Sequence, residues 1–135
     1  MRTILGGYFI GADSSRTRLD VMTDPDDVTI EKTIASVARR AAVLGMRRDP
    51  IPEFGPYELS LYAQDGQFLI MLNEVIEDGE NNTKTLTNHT AANDKFIVIL
   101  GEKYPAKAVI DDIELVRSIF LEFAHTGSVS NDLLS

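Results

Sequence analysis

Apolar residues recur along this chain with two different periods, and the changes of period divide it into elements. The opening stretch, Met1 to Gly11, has one basic side chain and a brief apolar run interrupted by Gly6 and Gly7. It is too short to cross a bilayer and reads as a first strand rather than a targeting segment, with the glycines expected at a bulge. Gly11 to Arg18 is polar and turn-like. From Thr29, the expected N-cap, the residues Ile30, Ile34, Val37, Ala38, Ala41 and Leu44 fall at spacings of three and four. That spacing predicts a helix with one buried stripe, ended by Gly45. Asp24, Asp26, Asp27 and Glu31 precede or open it, while Arg39, Arg40, Arg47 and Arg48 close or follow it, the order that complements a helix dipole. Pro50, Pro52, Gly55 and Pro56 then form a stiff connector.

Past the connector the period becomes two. Tyr57, Leu59, Leu61 and Ala63 alternate with Glu58, Ser60 and Tyr62, Asp65-Gly66 supplies a turn, and Phe68 to Val75 runs back. Asp-Gly between such runs predicts a β-hairpin. The return strand is apolar on both faces, so it belongs inside a sheet, covered on both sides or by a helix on one and a partner on the other. It runs out in the acidic turn Glu77 to Asn82. Further strands are expected near Lys84 to Thr87 and at Phe96 to Leu100, with a loop from Asn88 to Asp94 between them and a short extended piece ending at Ile110. A last helix follows, with Asp111 and Glu114 at capping-box spacing and Ile113, Val116, Ile119, Phe120 and Phe123 as its stripe. Gly127 stands where a C-cap glycine belongs. The order predicts one α+β domain over residues 1–135: a mainly antiparallel sheet of about five strands, with the early and the C-terminal helix packed on it.

Composition narrows what such a domain does. The 44% of hydrophobic residues is enough for a core and excludes a disordered chain, and no segment approaches transmembrane length. There is no cysteine, which excludes disulfides, thiolate metal sites and cysteine nucleophiles. The net charge of −8 is unevenly placed: Met1 to Arg48 carries eight Lys and Arg against six Asp and Glu, whereas Asp49 to Ser135 carries five against fifteen. The first part is therefore +2 and the second −10. A surface so biased repels nucleic acid and attracts something basic.

Motifs for chemistry are absent. His89 and His125 lie in different elements without Ser-His-Asp or metal-ligand spacing, and His125 near a helix C-terminus reads as a dipole-matched surface residue. Gly6, Gly7 and Gly11 make no phosphate loop. The acidic runs Asp24 to Asp27 and Asp78 to Asn82 do not match a calcium loop. Carboxylate pairs for glycoside chemistry lack a tryptophan-lined cleft. The expectation is no catalytic residue, no metal and no cofactor. Binding is instead assigned to carboxylates flanking the central hairpin, Glu58, Asp65, Glu74, Glu77, Asp78 and Glu80, which suit the Lys and Arg of a partner, with Tyr62 or Tyr57 as an exposed aromatic anchor.

The early helix, the hairpin Tyr57-Glu-Leu-Ser-Leu-Tyr-Ala-Gln-Asp-Gly-Gln-Phe-Leu-Ile-Met-Leu and the ending Ile113-Glu-Leu-Val-Arg-Ser-Ile-Phe-Leu-Glu-Phe-Ala-His-Thr-Gly-Ser-Val carry a resemblance. Over roughly residues 29 to 130 the chain resembles the small immunity proteins of bacterial polymorphic and contact-dependent toxin systems. Within these it is similar to the class that includes inhibitors of deaminase-type toxins, which also close with a helix, Glu-Phe and a Thr-Gly turn. The resemblance implies a cytoplasmic, non-enzymatic protein that binds a cognate toxin domain and occludes its active site. The toxin would be a basic, nucleic-acid-targeting protein such as a deaminase or nuclease. Two other readings are a small enzyme or ligand-binding domain using acidic residues on the sheet, and a regulatory protein-interaction module.

Overall fold

A computed structural model of the chain describes residues 1–89, 91 and 94–130. Strand β1 (Arg2–Ile10) buries Thr3, Leu5 and Phe9 on one face, and the short strands β2 (Arg16–Arg18) and β3 (Met22–Thr23) share its outer edge. Helix α1 (Asp27–Val37) is capped by Asp26, not Thr29: the Asp26 carboxylate accepts the Thr29 N–H at 2.8 Å. Hydrogen bonding from Thr29, side chain first and backbone second, holds the Asp26 carboxyl below its ordinary value of 3.8. A carboxyl whose folded-state pKa is lowered contributes stability above its unfolded value and loses it as pH falls through the folded one. The stability gap between the native chain and an Asp26→Ala variant, read from urea unfolding, is therefore expected to be full at neutral pH and to close in acid below 3.8. A gap that stays constant into that range would mean that the cap works without its charge.

α1 stops at Val37, and Ala41 and Leu44 are not part of it. The Ala38 and Arg40 N–H groups each bond three residues back, at 3.3 Å, in one tightened turn. The chain then enters strand β4 (Ala41–Asp49), with Ala42, Leu44 and Met46 buried. The spacing from Val37 to Leu44 fits a helix, but Ala42, Leu44 and Met46 also have period two. Pairing with β1 on one side and with β5 (Gly55–Gln64) on the other satisfies both backbone edges of this segment, so tertiary pairing overrides the local pattern. Arg47 and Arg48 accordingly lie on a strand, and only Arg39 and Arg40 follow α1 closely. Gly45 is no helix cap; it pairs with Gly6. The register of β1 on β4 is unbroken, so Gly6 and Gly7 mark no bulge, whereas the β5 register shifts between Pro56 and Glu58.

β5 turns through Asp65 and Gly66, both with positive φ (51° and 80°), into β6 (Gln67–Val75), the backbone shape of a type I′ hairpin. β7 (Asn81–Thr85) pairs with the second half of β6. β8 (Phe96–Ile99) and β9 (Glu102–Pro105) form a separate hairpin, and one 3₁₀ turn (Ala106–Ala108) leads to β10 (Val109–Ile110), which pairs with Leu69 and Phe68. The loop expected from Asn88 to Asp94 lies partly outside the described residues. Helix α2 (Ile113–Thr126) is capped by Asp112, one residue later than expected, and ends at Gly127, which adopts φ 77° and donates its N–H to the Phe123 carbonyl.

The main sheet runs β10-β6-β5-β4-β1-β2, all antiparallel, with β3 beside β1 and β7 beside β6. Among the described residues this sheet has eight strands, of which β1, β4, β5 and β6 are long, with nine or ten residues each, and both helices pack on one face. Leu5, Leu44, Leu61, Phe68 and Ile70 from the sheet form one core with Ile30, Ile34, Val116, Phe120 and Phe123 from the helices. Each such fully buried side chain contributes about 1.5–3 kcal/mol of transfer free energy. The other face of β6 is covered by the chain itself: Leu69 packs with Ile99 and Val109 under the β8–β9 hairpin. The doubly apolar strand thus needs no partner for its cover. Among the described residues no helix is long and apolar enough to cross a membrane.

Candidate interaction site

The switch of charge near residue 48 becomes a switch across the width of the sheet. The basic first part builds β1 to β4 and α1, and the acidic second part builds β5 to β10 and α2. At the acidic flank, the end of β6 and the start of β7 form a short closed turn. Ile76 N–H donates to the Glu80 carbonyl and Gly79 N–H to the Ile76 carbonyl, both at 2.9 Å, while one Asp78 oxygen accepts the Glu80 N–H at 3.0 Å. Gly79 takes φ 84°, the conformation that lets the turn close. The side chains of Glu77, Asp78 and Glu80 are left exposed around this turn.

Beside the turn lies a recess of about 620 Å³ lined by Phe54, Glu74, Val75, Ile76 and Glu77. Phe54 is 55% exposed and Ile76 38% exposed, and Ile51, in the same connector as Phe54, is 59% exposed. An apolar floor with an acidic rim is the arrangement that receives an apolar side chain flanked by Lys or Arg. Phe54 gives no periodic signal, because it sits alone in a Pro- and Gly-rich connector; an isolated aromatic in such a loop is the one sequence clue to it.

The expected site residues do not all meet here. Glu77, Asp78 and Glu80 share the turn. Glu74 is next to them but engaged within the fold: it accepts from the Asn82 amide at 3.0 Å and pairs with Lys84 at 3.3 Å. Glu58 stands on the sheet face away from the helices, directly opposite Arg47, and accepts from the Asn73 amide at 3.1 Å. Asp65 is at the opposite end of the β5–β6 hairpin, beside Arg39. Tyr62 is not an exposed anchor; it is half-buried in the cluster under the β8–β9 hairpin. Its neighbour Tyr104 has its phenol pKa raised by burial first and by the nearness of Tyr62 and Glu102 second. Tyr57 is half-buried too, and donates its hydroxyl to Asn81 of β7 across the intervening β6. Phe54, not Tyr62, is the exposed aromatic here, because the β8–β9 hairpin folds over the end of β5 at Tyr62 and Gln64 and leaves the connector open.

The remaining candidates for chemistry stand apart. His125, in the last turn of α2, lies with Nε2 2.7 Å from Asp27 in the first turn of α1, so the two helix ends carry opposite charge when the imidazole is protonated. Asp24 accepts the Thr3 N–H at 2.9 Å, Asp26 caps α1 and Asp27 faces His125, so these three carboxylates serve three separate contacts. Among the described residues no group of three or more such side chains is arranged to hold a metal ion.

A crystal structure of a hypothetical protein from Neisseria gonorrhoeae is similar to this chain: 26% identity, a TM-score of 0.85, and coverage of 96% of this chain and 91% of that one. It shares the α+β architecture of an open, mainly antiparallel sheet with an early and a C-terminal helix. No curated protein matches. The profile of a family of unknown function, DUF6911, matches residues 2–133, and the chain belongs to that family.

Proposed function

We propose that this protein is a non-catalytic, cytoplasmic immunity protein that binds a basic toxin domain, a nucleic-acid-targeting deaminase or nuclease, and occludes its active site. The observation that carries the reading is the pairing of exposed Phe54 and Ile76 with the exposed carboxylates of Glu77, Asp78 and Glu80 at the acidic flank. A toxin that grips phosphates presents Lys and Arg around its active site. Carboxylates on a closed turn meet those groups where phosphates would lie, which speeds encounter and sets orientation. The apolar recess then supplies the desolvated contact that slows dissociation. The resemblance of the hairpin and closing helix to immunity proteins supports the same reading. Co-expression with the toxin domain encoded beside it is expected to restore growth, and the purified pair is expected to form a one-to-one complex. Continued toxicity together with no complex would overturn the proposal.

A further inference from the structure

A second cavity, of about 280 Å³, lies on the sheet face away from the helices, on the basic half of the molecule. Its charged walls are exposed Arg18, opposite Tyr8, at one end and the cross-strand neighbours Arg47 and Glu58 at the other, with Gly6, Gly45 and Val21 between them. Arg18 and Arg47 enter no ion pair among the described residues, although Arg47 faces Glu58 directly. The Asn73 amide holds one Glu58 oxygen, and the other points over Gly45, 3.9 Å from where a Cβ would sit there. The segment after β2 is pinned at the edge of the cavity by the Leu19 N–H, which donates to the Gly7 carbonyl at 2.9 Å.

The floor explains why the space exists. Gly6 pairs with Gly45, and Gly45 with Ser60, so one row of the sheet carries almost no side chain. Neither Gly6 nor Gly45 has a left-handed φ, and a Cβ on either would meet nothing closer than 3.7 Å. The backbone does not require glycine at these two positions, and glycine inside a strand is a destabilising choice relative to alanine. What the two glycines provide is room between the charged walls.

We infer that this cleft binds an acidic amino acid, or a small molecule with the same three charges. One carboxylate sits on Arg47, the ammonium on the free oxygen of Glu58, and the second carboxylate reaches along the glycine floor to Arg18. The ligand's net charge of −1 complements two guanidiniums and one carboxylate, and charge-assisted bonds of this kind are the strong ones. The site is separate from the acidic turn, so this inference goes beyond the docking reading and its failure leaves that reading standing.

The test uses the isolated full-length chain, labelled with ¹⁵N and titrated with L-aspartate, L-glutamate and, as a control, L-lysine. At least one acidic amino acid is expected to give saturable shifts centred on the amides of Gly6, Gly45 and Ser60, with L-lysine giving none. Arg47→Ala should weaken that binding about tenfold or more, as the loss of a charge-assisted bond implies. Gly45→Val should abolish it by filling the floor. Because valine could disturb the sheet, Gly45→Ala is the second variant; its methyl stays 3.9 Å from Glu58 and is expected to weaken binding without unfolding the chain. No saturable shift with either acid, equal shifts with L-lysine, or affinity unchanged in Arg47→Ala would each overturn the inference.

Discussion

Replacing Glu77, Asp78 and Glu80 together by lysine is expected to slow association with the proposed basic partner by about 10- to 1,000-fold at low ionic strength. The loss should shrink as salt is added, because the exposed charges act over roughly a Debye length, about 10 Å at 0.1 M. The fold should survive, since the turn is closed mainly by backbone hydrogen bonds and Gly79. Only the bond from the Glu80 N–H to Asp78 is lost with the side chains. Phe54→Ala should act differently, raising the dissociation rate and leaving association nearly unchanged. A central aromatic anchor of this sort costs about 2 kcal/mol or more when truncated, which is roughly 30-fold in affinity. Glu74→Gln is the internal control: its carboxylate already serves Asn82 and Lys84, so its effect on association should be small. Stopped-flow or surface-based kinetics at several salt concentrations separate these outcomes. If both the triple reversal and Phe54→Ala leave kinetics unchanged, the partner docks elsewhere on the molecule.

The second large effect is on the fold. Gly7 has φ +150°, and a Cβ on it would lie 2.1 Å from the Val43 carbonyl oxygen, a backbone atom of the paired strand that has no way to swing aside. Gly7→Ala must therefore push β1 from β4 or rotate Gly7 out of a conformation that also holds the Leu19 N–H. The expected cost is of the order of 3 kcal/mol. For a domain of this size that is a fall in Tm of roughly 10 °C. Gly6→Ala, one residue away, should instead be neutral or stabilising, because its Cβ meets only the Val21 side chain at 3.7 Å and alanine in a strand is favoured by about 0.5–1 kcal/mol. Thermal unfolding of the two variants side by side checks this; equal behaviour would mean that the β1–β4 pairing adapts to a side chain at Gly7.

Local chemistry was enough for several features of this protein. Asp65-Gly66 dictated the central hairpin, because only residues that accept positive φ close a two-residue turn of that hand. The stripe from Ile113 to Phe123 and the glycine after it dictated the last helix, and the acidic turn after β6 was visible as a run of charge. These signals involve neighbours in the chain, so no fold was needed to read them. The identity of β4 was different. Val37 to Leu44 satisfied the helical period and Ala42 to Met46 the strand period, and the choice fell to β1 and β5, whose edges this segment joins. Burial was decided the same way. Tyr62 falls in the polar phase of its strand, yet the β8–β9 hairpin covers it, while Phe54 stays open because no element folds over the connector. Charge order along the chain foretold an acidic region. The hairpin turn itself put Asp65 at the far end from the three carboxylates of the acidic turn, but only the register set Glu58 apart from them, facing Arg47 over a glycine floor. Sequence determines what each segment can pair with, and the tertiary structure decides which pairing buries the most apolar surface while satisfying every backbone edge.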